Sequence, residues 1–359
     1  MKKIDPGLGK VDRDFLSRVL LRNTGAVSDS VIVGPGIGLD NAVLAVGGGN
    51  VMVVTADPLS IIPSIGMERS AWLTVHELAS DLTTSAVRPQ FAVLDFNLPP
   101  SLKMGAFGRY VKAVSDECGR LGVSIVGGHT GKYPGSGFTV VGGGVMMGLA
   151  REGAYLTPRM MQEGDAILMT KGAAIEATAV LSLAFPRKTD EALGSKRLAE
   201  RARGYLGLCS TVADALAASS VGIKDEGVTS MHDATEGGVL GALYELARSS
   251  GRELSVERER IYVSEESSAV CAAFDLDPLV TLSEGTLVAT CRPDRVEEAL
   301  RALSRNGIDG FRIGRAGGRR GGEGRLYLSL AGGRGREFVP PKYDPYWRAY
   351  ADGVENGWK

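Results

Sequence analysis

The sequence has few cysteines, few histidines and no long apolar run. Among 359 residues there are four cysteines and three histidines, and no two cysteines form a C-x-x-C pair. This spacing argues against a zinc knuckle or a dithiol redox motif and predicts buried, reduced thiols. No stretch reaches the roughly 18 uninterrupted apolar residues of a membrane span. The first residues contain no apolar leader, so we predict a cytoplasmic protein without a membrane partner.

The chain also lacks an excess of either charge. It carries 41 Lys and Arg against 42 Asp and Glu, a formal net charge of -1, which argues against nucleic acid as a partner. The basic run from Arg312 to Arg325 is interleaved with glycine and contains no aromatic residue, so we predict a solvated loop there. With 44% hydrophobic and 23% charged residues, the composition is typical of a soluble globular protein.

Strands and helices are predicted in mixed order. Runs rich in β-branched residues predict strands, and apolar residues at helical spacing predict helices between them. The predicted strands are 51–55, 91–96, 123–126 and 138–149, and the predicted helices are 69–86 and 104–121. The mixture continues after residue 164, with short loops. We therefore predict an α+β fold rather than a doubly wound parallel sheet.

The length suits two domains rather than one core. We predict an N-terminal domain at residues 1–153, a C-terminal domain at 154–335 and a tail at 336–359. The tail is rich in aromatic residues, and we expect it to pack on the surface.

Three carboxylates lie in a loop, at a strand end and on a helix of the predicted N-terminal domain. Asp40 ends a glycine-rich loop that contains Gly38, Asp57 follows Thr55 at the end of a strand, and Asp81 is on the first predicted helix. Oxygen ligands of this kind suit Mg²⁺. We predict that the three aspartates hold this ion. The alternatives are that the loop is a flexible turn and that Asp57 is only a turn residue.

A fourth motif, Gly127-Gly128-His129-Thr130, follows the apolar residues of a strand. Glycines there would let backbone N–H groups approach phosphate oxygens, and the imidazole can bind a metal ion or carry a proton. The alternative is a histidine in a tight turn. Another histidine, His76, is on a predicted helix, where we expect it in the core or behind a ligand.

The densest group of chemically active side chains lies in the C-terminal half, at residues 231–238. Its candidate functional members are His232, Asp233, Thr235, Gly237 and Gly238. An apolar pattern of helical spacing follows, so the group stands at the entrance of a helix. Because helix N-termini favour anions, titratable side chains at this position are typical of a phosphate or acyl-phosphate site.

Taken in order, these motifs resemble the superfamily of aminoimidazole ribonucleotide synthetase, which includes thiamine-monophosphate kinase, selenophosphate synthetase and HypE-like hydrogenase maturation proteins. The resemblance covers residues 10–335. In that family a glycine-aspartate loop, a Thr-x-Asp strand end, a helical aspartate and a Gly-Gly-Asp/Glu-Thr turn hold Mg-ATP. An Asp-x-Thr-x-Gly-Gly segment follows in the second domain. The corresponding stretches here are 38–42, 55–57, 81–89, 127–130 and 233–238.

This resemblance implies ATP and Mg²⁺ as cofactors, and a homodimer in which the N-terminal sheets of two copies pair into a barrel. The implied nucleotide-binding residues are Gly38, Asp40, Thr55, Asp57, Asp81, Gly127, Gly128, Thr130, Thr235, Gly237 and Gly238. The catalytic candidates are His129, His232 and Asp233. The implied chemistry is transfer of the γ-phosphoryl group to activate an oxygen atom of an acceptor.

The HypE-like branch looks closest, with two departures. HypE acts on its own C-terminal cysteine, whereas the last cysteine here is Cys291. Position 129 carries histidine where a carboxylate is usual, so either metal binding is weaker or His129 serves proton transfer or substrate binding. We expect an ATP-binding enzyme with an unidentified small-molecule or peptide acceptor. The alternatives are a small-metabolite kinase and a non-catalytic nucleotide-binding relative that assists maturation proteins in metallocentre assembly.

Overall fold

The computed structural model describes residues 7–319, 322–329 and 335–358. These residues divide into two compact units. Within the described ranges, the C-terminal unit consists of residues 7–27, 35–39 and those from 156 to 358, and the N-terminal unit consists of Ser28–Gly34 and Asp40–Tyr155. No helix among these residues is both long enough and apolar enough to cross a membrane.

Helices and strands are mixed along the chain. In chain order the α-helices are α1 Arg13–Arg18, α2 Met67–Thr83, α3 Met104–Leu121, α4 Ile175–Ala184, α5 Pro186–Leu193, α6 Lys196–Gly204, α7 Val212–Ser219, α8 Gly238–Ser250, α9 Glu265–Ala273, α10 Val296–Arg305 and α11 Pro345–Glu355. The strands are β1 Val31–Val33, β2 Ala42–Gly47, β3 Asn50–Ser60, β4 Phe91–Leu98, β5 Ser124–Lys132, β6 Val140–Arg151, β7 Ala166–Thr170, β8 Val228–Ala234, β9 Glu253–Glu257, β10 Thr286–Cys291, β11 Gly310–Ala316, β12 Arg325–Ser329 and β13 Arg336–Phe338. The predicted α+β class is confirmed.

Six strands form the sheet of the N-terminal unit, in the order β1-β2-β3-β6-β4-β5. β4 and β5 are parallel, and the other neighbours are antiparallel. Alternate residues of β3 and β4, including Val51, Val53, Leu94 and Phe96, are buried. They lie on the face against which α2 packs. This alternation follows from the two-residue period of a strand.

The other face of this sheet, called here the open face, carries apolar side chains that are only partly buried. Met52 is opposite Leu149, and Val93 is opposite Val145, across neighbouring strands. Leu149 is 41% exposed. At the edge of the sheet, Val126 on β5 is 57% exposed. A contiguous apolar face beside an exposed strand edge is typical of a surface that binds a partner.

Seven strands form the sheet of the C-terminal unit, in the order β13-β12-β9-β11-β7-β10-β8. The neighbouring strands β7, β10 and β8, at one end of this order, are buried along their whole length. Helix α8 packs on this sheet. The shared core includes Ile167, Met169, Leu243, Leu246 and Val288. Burial of this core fixes the position of the loop that joins β8 to α8.

The solvated loop predicted at residues 312–325 is wrong in its first part. Residues 312–316 belong to β11, which pairs with β7 and β9 inside the sheet. The glycine signal has a packing cause, because a Cβ on Gly314 would lie 2.2 Å from the main-chain oxygen of Ser255. Residues 320 and 321 of the predicted loop lie outside the described residues.

The aromatic tail packs on the C-terminal unit through α11. Tyr346 is only 3% exposed, and the ring of Phe185 contacts the rings of Tyr350 and Trp358. Gly353 leaves room for Phe185, since a Cβ there would lie 2.5 Å from the Phe185 ring. The tail therefore contributes to the core of this unit.

Candidate functional site

Asp81, Thr55 and Asp40 meet where β3 lies against the end of α2. The Oδ2 atom of Asp81 accepts a hydrogen bond from Thr55 Oγ1 at 2.9 Å. The same hydroxyl oxygen is 2.9 Å from the main-chain oxygen of Asp40. Asn41 strengthens this junction, because its Nδ2 donates to the main-chain oxygen of Asp81 at 2.7 Å. Two of the three predicted metal ligands are thus connected through one threonine.

Asp57 lies two residues after Thr55 on β3, so both side chains leave the same face of the sheet. Asp40, Asp57 and Asp81 are all half-buried. Carboxylates are the protein groups through which Mg²⁺ is usually bound, together with water and substrate phosphates. The carboxylates of this junction are therefore of the chemical type that a magnesium ion requires.

The segment from Gly127 to Thr130, which the family resemblance implied to be a turn, is instead part of the edge strand β5. A Cβ on Gly128 would lie 1.8 Å from the main-chain oxygen of Leu94, and the φ angle of this glycine is +148°. By contrast, a Cβ on Gly127 would meet nothing within 4 Å. Close pairing of β4 and β5 therefore explains the second glycine of the pair but not the first.

His129 is separate from the carboxylate junction within the N-terminal unit. Asp57, Gly144, Leu94 and Gly128 lie in one transverse row of the sheet. This row spans three strand spacings, which is about 14 Å. His129 is the next residue and leaves the opposite face. Because metal–oxygen bonds are only about 2–2.6 Å long, one ion cannot bind both places in a single copy.

His232 ends the buried strand β8 of the C-terminal unit and is 2% exposed. Its Nδ1 lies 2.7 Å from the main-chain oxygen of Asp233 and therefore donates to it. Its Nε2 is 3.3 Å from Glu245 Oε2. Burial would raise the pKa of this carboxylate, but the charges of Lys10, the imidazole and Arg13 lower it to about 2. His232 thus faces a carboxylate that stays ionised.

Asp233 is 1% exposed, and within the described ranges neither of its carboxylate oxygens has a hydrogen-bond partner. Its Oδ1 is 3.6 Å from His232 Nδ1. A buried carboxylate without hydrogen bonds is costly. This position therefore suits an added cation or hydrogen-bond donor.

The loop before α8 requires its glycines for conformation and packing. Gly237 and Gly238 have φ angles of +86° and +62°, and a Cβ on Gly238 would lie 2.8 Å from main-chain atoms of Leu279 and Thr281. The Gly237 N–H donates to Asp344 Oδ2 at 2.7 Å. The Asp344 carboxylate thus accepts the hydrogen bond of one of the backbone N–H groups that were predicted to bind phosphate.

Both ends of the chain reach this loop. The Lys10 N–H donates to Glu236 Oε2 at 2.7 Å, and Lys10 Nζ donates to Thr235 Oγ1 at 3.1 Å. Asp344 approaches from the tail and also caps α11. Lys342 pairs with Asp12 at 2.9 Å and so joins the two terminal segments. Sequence reasoning missed Lys10 and Asp344, because isolated charged residues distant in the chain give no local signal.

Gly38 and His76 have structural explanations. A Cβ on Gly38 would lie 2.4 Å from the main-chain oxygen of Glu245, and its φ angle is +69°. His76 is buried, with Nε2 3.0 Å from Glu117 Oε1 and its ring stacked on Trp72. The expectation that this histidine belongs to the core is confirmed. For Gly38, a direct contact with nucleotide stays a prediction.

The four cysteines, Cys118, Cys209, Cys271 and Cys291, are buried and free, as predicted. Burial raises the pKa of Cys118 to about 11 and the pKa values of Cys271 and Cys291 to about 12. Since the thiolate is the reactive form, these three thiols are poor nucleophiles at neutral pH.

Comparison with known proteins identifies two matching family models. The AIR synthase related protein N-terminal domain matches residues 38–150, and the AIR synthase related protein C-terminal domain matches residues 162–326. Carbamoyl dehydratase HypE of Azotobacter vinelandii is 29% identical over 236 residues, which is 64% of each chain. A Methanocaldococcus jannaschii protein named for hydrogenase expression/formation is 24% identical over 312 residues, covering 82% of this chain and 84% of that protein. The chain spans less than two thirds of the length of the first of these relatives.

Solved structures share the fold. The HypE structure from a HypE-HypF complex has a TM-score of 0.71 and 20% identity, covering 91% of this chain and 99% of that chain. A HypE structure in complex with ATP has a TM-score of 0.62 and 20% identity, with coverage of 94% and 97%. A ThiL structure complexed with AMPPCP and TMP has a TM-score of 0.62 and 17% identity, with coverage of 85% and 93%.

Proposed function

Because the chain belongs to the AIR synthase related proteins, we propose that it binds ATP and transfers or hydrolyses the γ-phosphoryl group to activate an unidentified small-molecule or peptide acceptor. The observation that carries this proposal is the oxygen-rich junction of Asp81, Thr55 and Asp40. The solved structures of HypE in complex with ATP and of ThiL complexed with AMPPCP support ATP as the nucleotide that this chain binds. The similarity to carbamoyl dehydratase HypE supports placing the chain in the HypE-like branch of this family.

Asp40, Asp57 and Asp81 are the residues that would hold Mg²⁺. When bound, the ion would neutralise charge on the phosphate oxygens. Thr55 orients the Asp81 carboxylate by its hydrogen bond, so the donor set is fixed before ligand arrives. This preorganisation is the main contribution that a protein makes to phosphoryl transfer.

The remaining predicted residues divide into two groups. Gly127, Gly128 and Thr130 are proposed phosphate contacts on β5, with His129 beside them. The about 14 Å between this strand and the junction has to be bridged by an extended ligand or by a second copy of the chain. Thr235, Gly237 and Gly238 are proposed to line the acceptor or phosphate end, with His232 and Asp233 as catalytic groups there.

Loss of the Asp81 carboxylate is expected to weaken magnesium-dependent ATP binding by about tenfold or more, since one charged ligand disappears. Isothermal titration calorimetry with and without Mg²⁺ measures this for Asp81→Asn. Asp116→Asn is the control, because Asp116 is exposed and pairs with Lys112 on the same helix. An unchanged magnesium dependence in Asp81→Asn contradicts the assignment. Release of ADP and phosphate, followed by ³¹P NMR, tests turnover.

A homodimer is part of this proposal. The open face, with Val93, Val145 and Leu149 among its members, and the exposed edge of β5 are the surfaces that a second copy would cover. Because an unpaired charge in an apolar interface is costly, Leu149→Asp is expected to weaken the dimer by about tenfold. Sedimentation velocity over a dilution series measures it.

The matched control for the dimer is Val354→Asp. Val354 is 58% exposed on α11 in the C-terminal unit, so it introduces the same charge away from the open face. Equal dimer dissociation constants for Leu149→Asp and wild type would mean that the open face is not part of the dimer interface.

A non-catalytic nucleotide-binding role in metallocentre maturation is the second candidate. His129 in place of a carboxylate favours it, and the HypE-HypF complex is an assembly of a protein of this fold with a second protein, HypF. Magnesium-dependent ATP turnover by the purified protein would exclude this role. A third candidate, a small-metabolite kinase, is favoured by the ThiL fold and predicts a phosphorylated metabolite as product.

A further inference from the structure

A polar group interrupts the apolar open face at its β5 edge. His129 Nε2 is 2.8 Å from the phenolic oxygen of Tyr133. Asp95 is in register with His129 on the parallel neighbour β4, and Asn97 Nδ2 donates to Asp95 Oδ2 at 2.8 Å. Residues in register leave a sheet on the same face. The exposed imidazole therefore stands among polar neighbours, and Tyr133 is its direct contact.

Gly131 makes the contact between His129 and Tyr133 possible. It lies two residues from each of them, so His129 and Gly131 share one face of β5, and Tyr133 follows directly after the strand. A Cβ on Gly131 would lie 2.6 Å from the Tyr133 phenolic oxygen and 2.8 Å from Cε2. The φ angle of Gly131 is not positive, so the backbone itself does not require glycine. The phenol ring occupies the space that a side chain would take.

The His129–Tyr133 pair determines which chemistry position 129 can offer. A phenolic O–H is a good donor to an imidazole nitrogen, and a neutral imidazole has one acceptor and one donor nitrogen. If Nε2 accepts from Tyr133, Nδ1 carries the proton. The imidazole then presents an N–H donor, whereas a carboxylate at this position would present only acceptors.

We propose that Tyr133 is a positioning residue that holds His129 as an Nδ1–H donor for an anionic phosphoryl oxygen, in place of a metal-binding carboxylate. The phosphoryl ligand rests on the proposed function, but the tautomer does not. Gly131 is needed for the same contact between His129 and Tyr133, since it provides the space for the phenol ring.

Nitrogen NMR of the histidine-labelled protein tests the tautomer at about pH 8, where imidazoles are ordinarily neutral. The chain has three histidines, and His129 is the exposed one, because His76 and His232 are buried. His129→Gln assigns its signals. Wild type is expected to show a protonated Nδ1 and an accepting Nε2. Tyr133→Phe and Gly131→Ala should both shift this pattern toward the Nε2–H form.

Gly127→Ala is the matched control for the tautomer measurement alone, because Gly127 is on the same strand and face and a Cβ there meets nothing within 4 Å. It should keep the wild-type tautomer. Calorimetric affinity for the magnesium complex of the non-hydrolysable analogue AMPPCP should fall by about tenfold in Tyr133→Phe and Gly131→Ala, the size of one hydrogen bond to a charged group.

Each outcome decides a separate part. An unchanged tautomer in Tyr133→Phe overturns the positioning role, even if the protein binds nucleotide. A changed tautomer with unchanged AMPPCP affinity overturns the donor role. If wild type does not bind AMPPCP, the proposed function and the phosphoryl ligand fail together, while the NMR result still decides whether Tyr133 positions His129.

Discussion

Gly128→Ala is expected to lower the free energy of unfolding by about 3–5 kcal/mol. The φ angle of Gly128 is +148°, and a Cβ there would lie 1.8 Å from the main-chain oxygen of Leu94. The clash is with backbone, so it cannot be relieved by turning a side chain, and β5 has to move away from β4. Urea unfolding followed by circular dichroism measures the change.

Gly127→Ala is the matched substitution in the adjacent residue. It has open space within 4 Å and should cost less than about 1 kcal/mol. If the two variants are equally stable, the parallel register of β4 and β5 is not as described. If Gly127→Ala is stable and loses nucleotide affinity, the first glycine has a binding role that strand packing does not explain.

Local periodicity predicted the elements well where the signal was continuous. Helix α3, at Met104–Leu121, has the predicted bounds. Helix α2 was predicted to continue to residue 86 but ends at Thr83. The side-chain hydroxyls of Thr84 and Ser85 donate to main-chain oxygens near the end of α2, those of Asp81 and Leu82. Such side-chain bonds compete with helix propagation.

Glycine was the ambiguous signal. At Gly127 and Gly128 the family resemblance implied a turn, and at Gly314 the glycine-rich pattern predicted a loop, but these residues lie in strands. A Cβ on Gly128 or Gly314 would clash with the backbone of a neighbouring strand, whereas a Cβ on Gly127 would meet nothing within 4 Å. Only the three-dimensional neighbour, Leu94 or Ser255, distinguishes a closely paired strand from a turn.

The contact between Thr55 and Asp81 was predictable because each residue belongs to a recognisable element, β3 or α2, and the structure joins them. The predicted end of the strand at residue 55 is wrong, because β3 continues to Ser60. Lys10 and Asp344 are 225 and 107 residues from their partners Thr235 and Gly237. Contacts at such separations depend on how the elements pack, so one sequence contains no local pattern for them.

Asp344 is expected to make stability depend on pH between about 4 and 6. Burial raises the pKa of this carboxyl from 3.8 to about 6, and Glu236 raises it further, although the N–H groups of Gly237 and Tyr346 lower it. A carboxyl with a raised folded-state pKa favours folding while it is protonated. That contribution is complete below about pH 3.8 and is lost as the pH rises through 6.

Wild type should therefore lose about 2 kcal/mol of unfolding free energy relative to Asp344→Asn between pH 4 and pH 7. Urea unfolding of both proteins at the two pH values measures this difference. The contributions of the other titrating groups cancel, because both proteins contain them. Asp344→Ala should show the same relative change and be less stable than Asp344→Asn at both pH values, since the N–H groups of Gly237 and Tyr346 lose their acceptor. Asp352→Asn, on the same helix, controls for net charge.

The sign of this change separates two views of the contact between the tail and the loop before α8. If the ionised Asp344 carboxylate mainly strengthened its bonds to Gly237 and Tyr346, wild type would gain stability over Asp344→Asn as the pH rises. If the cost of burying its charge is larger, wild type loses stability instead. A loss would mean that at neutral pH the protein holds the ionised Asp344 carboxylate against the Gly237 N–H at a cost in stability. An anion better suited to the same N–H would not incur this cost.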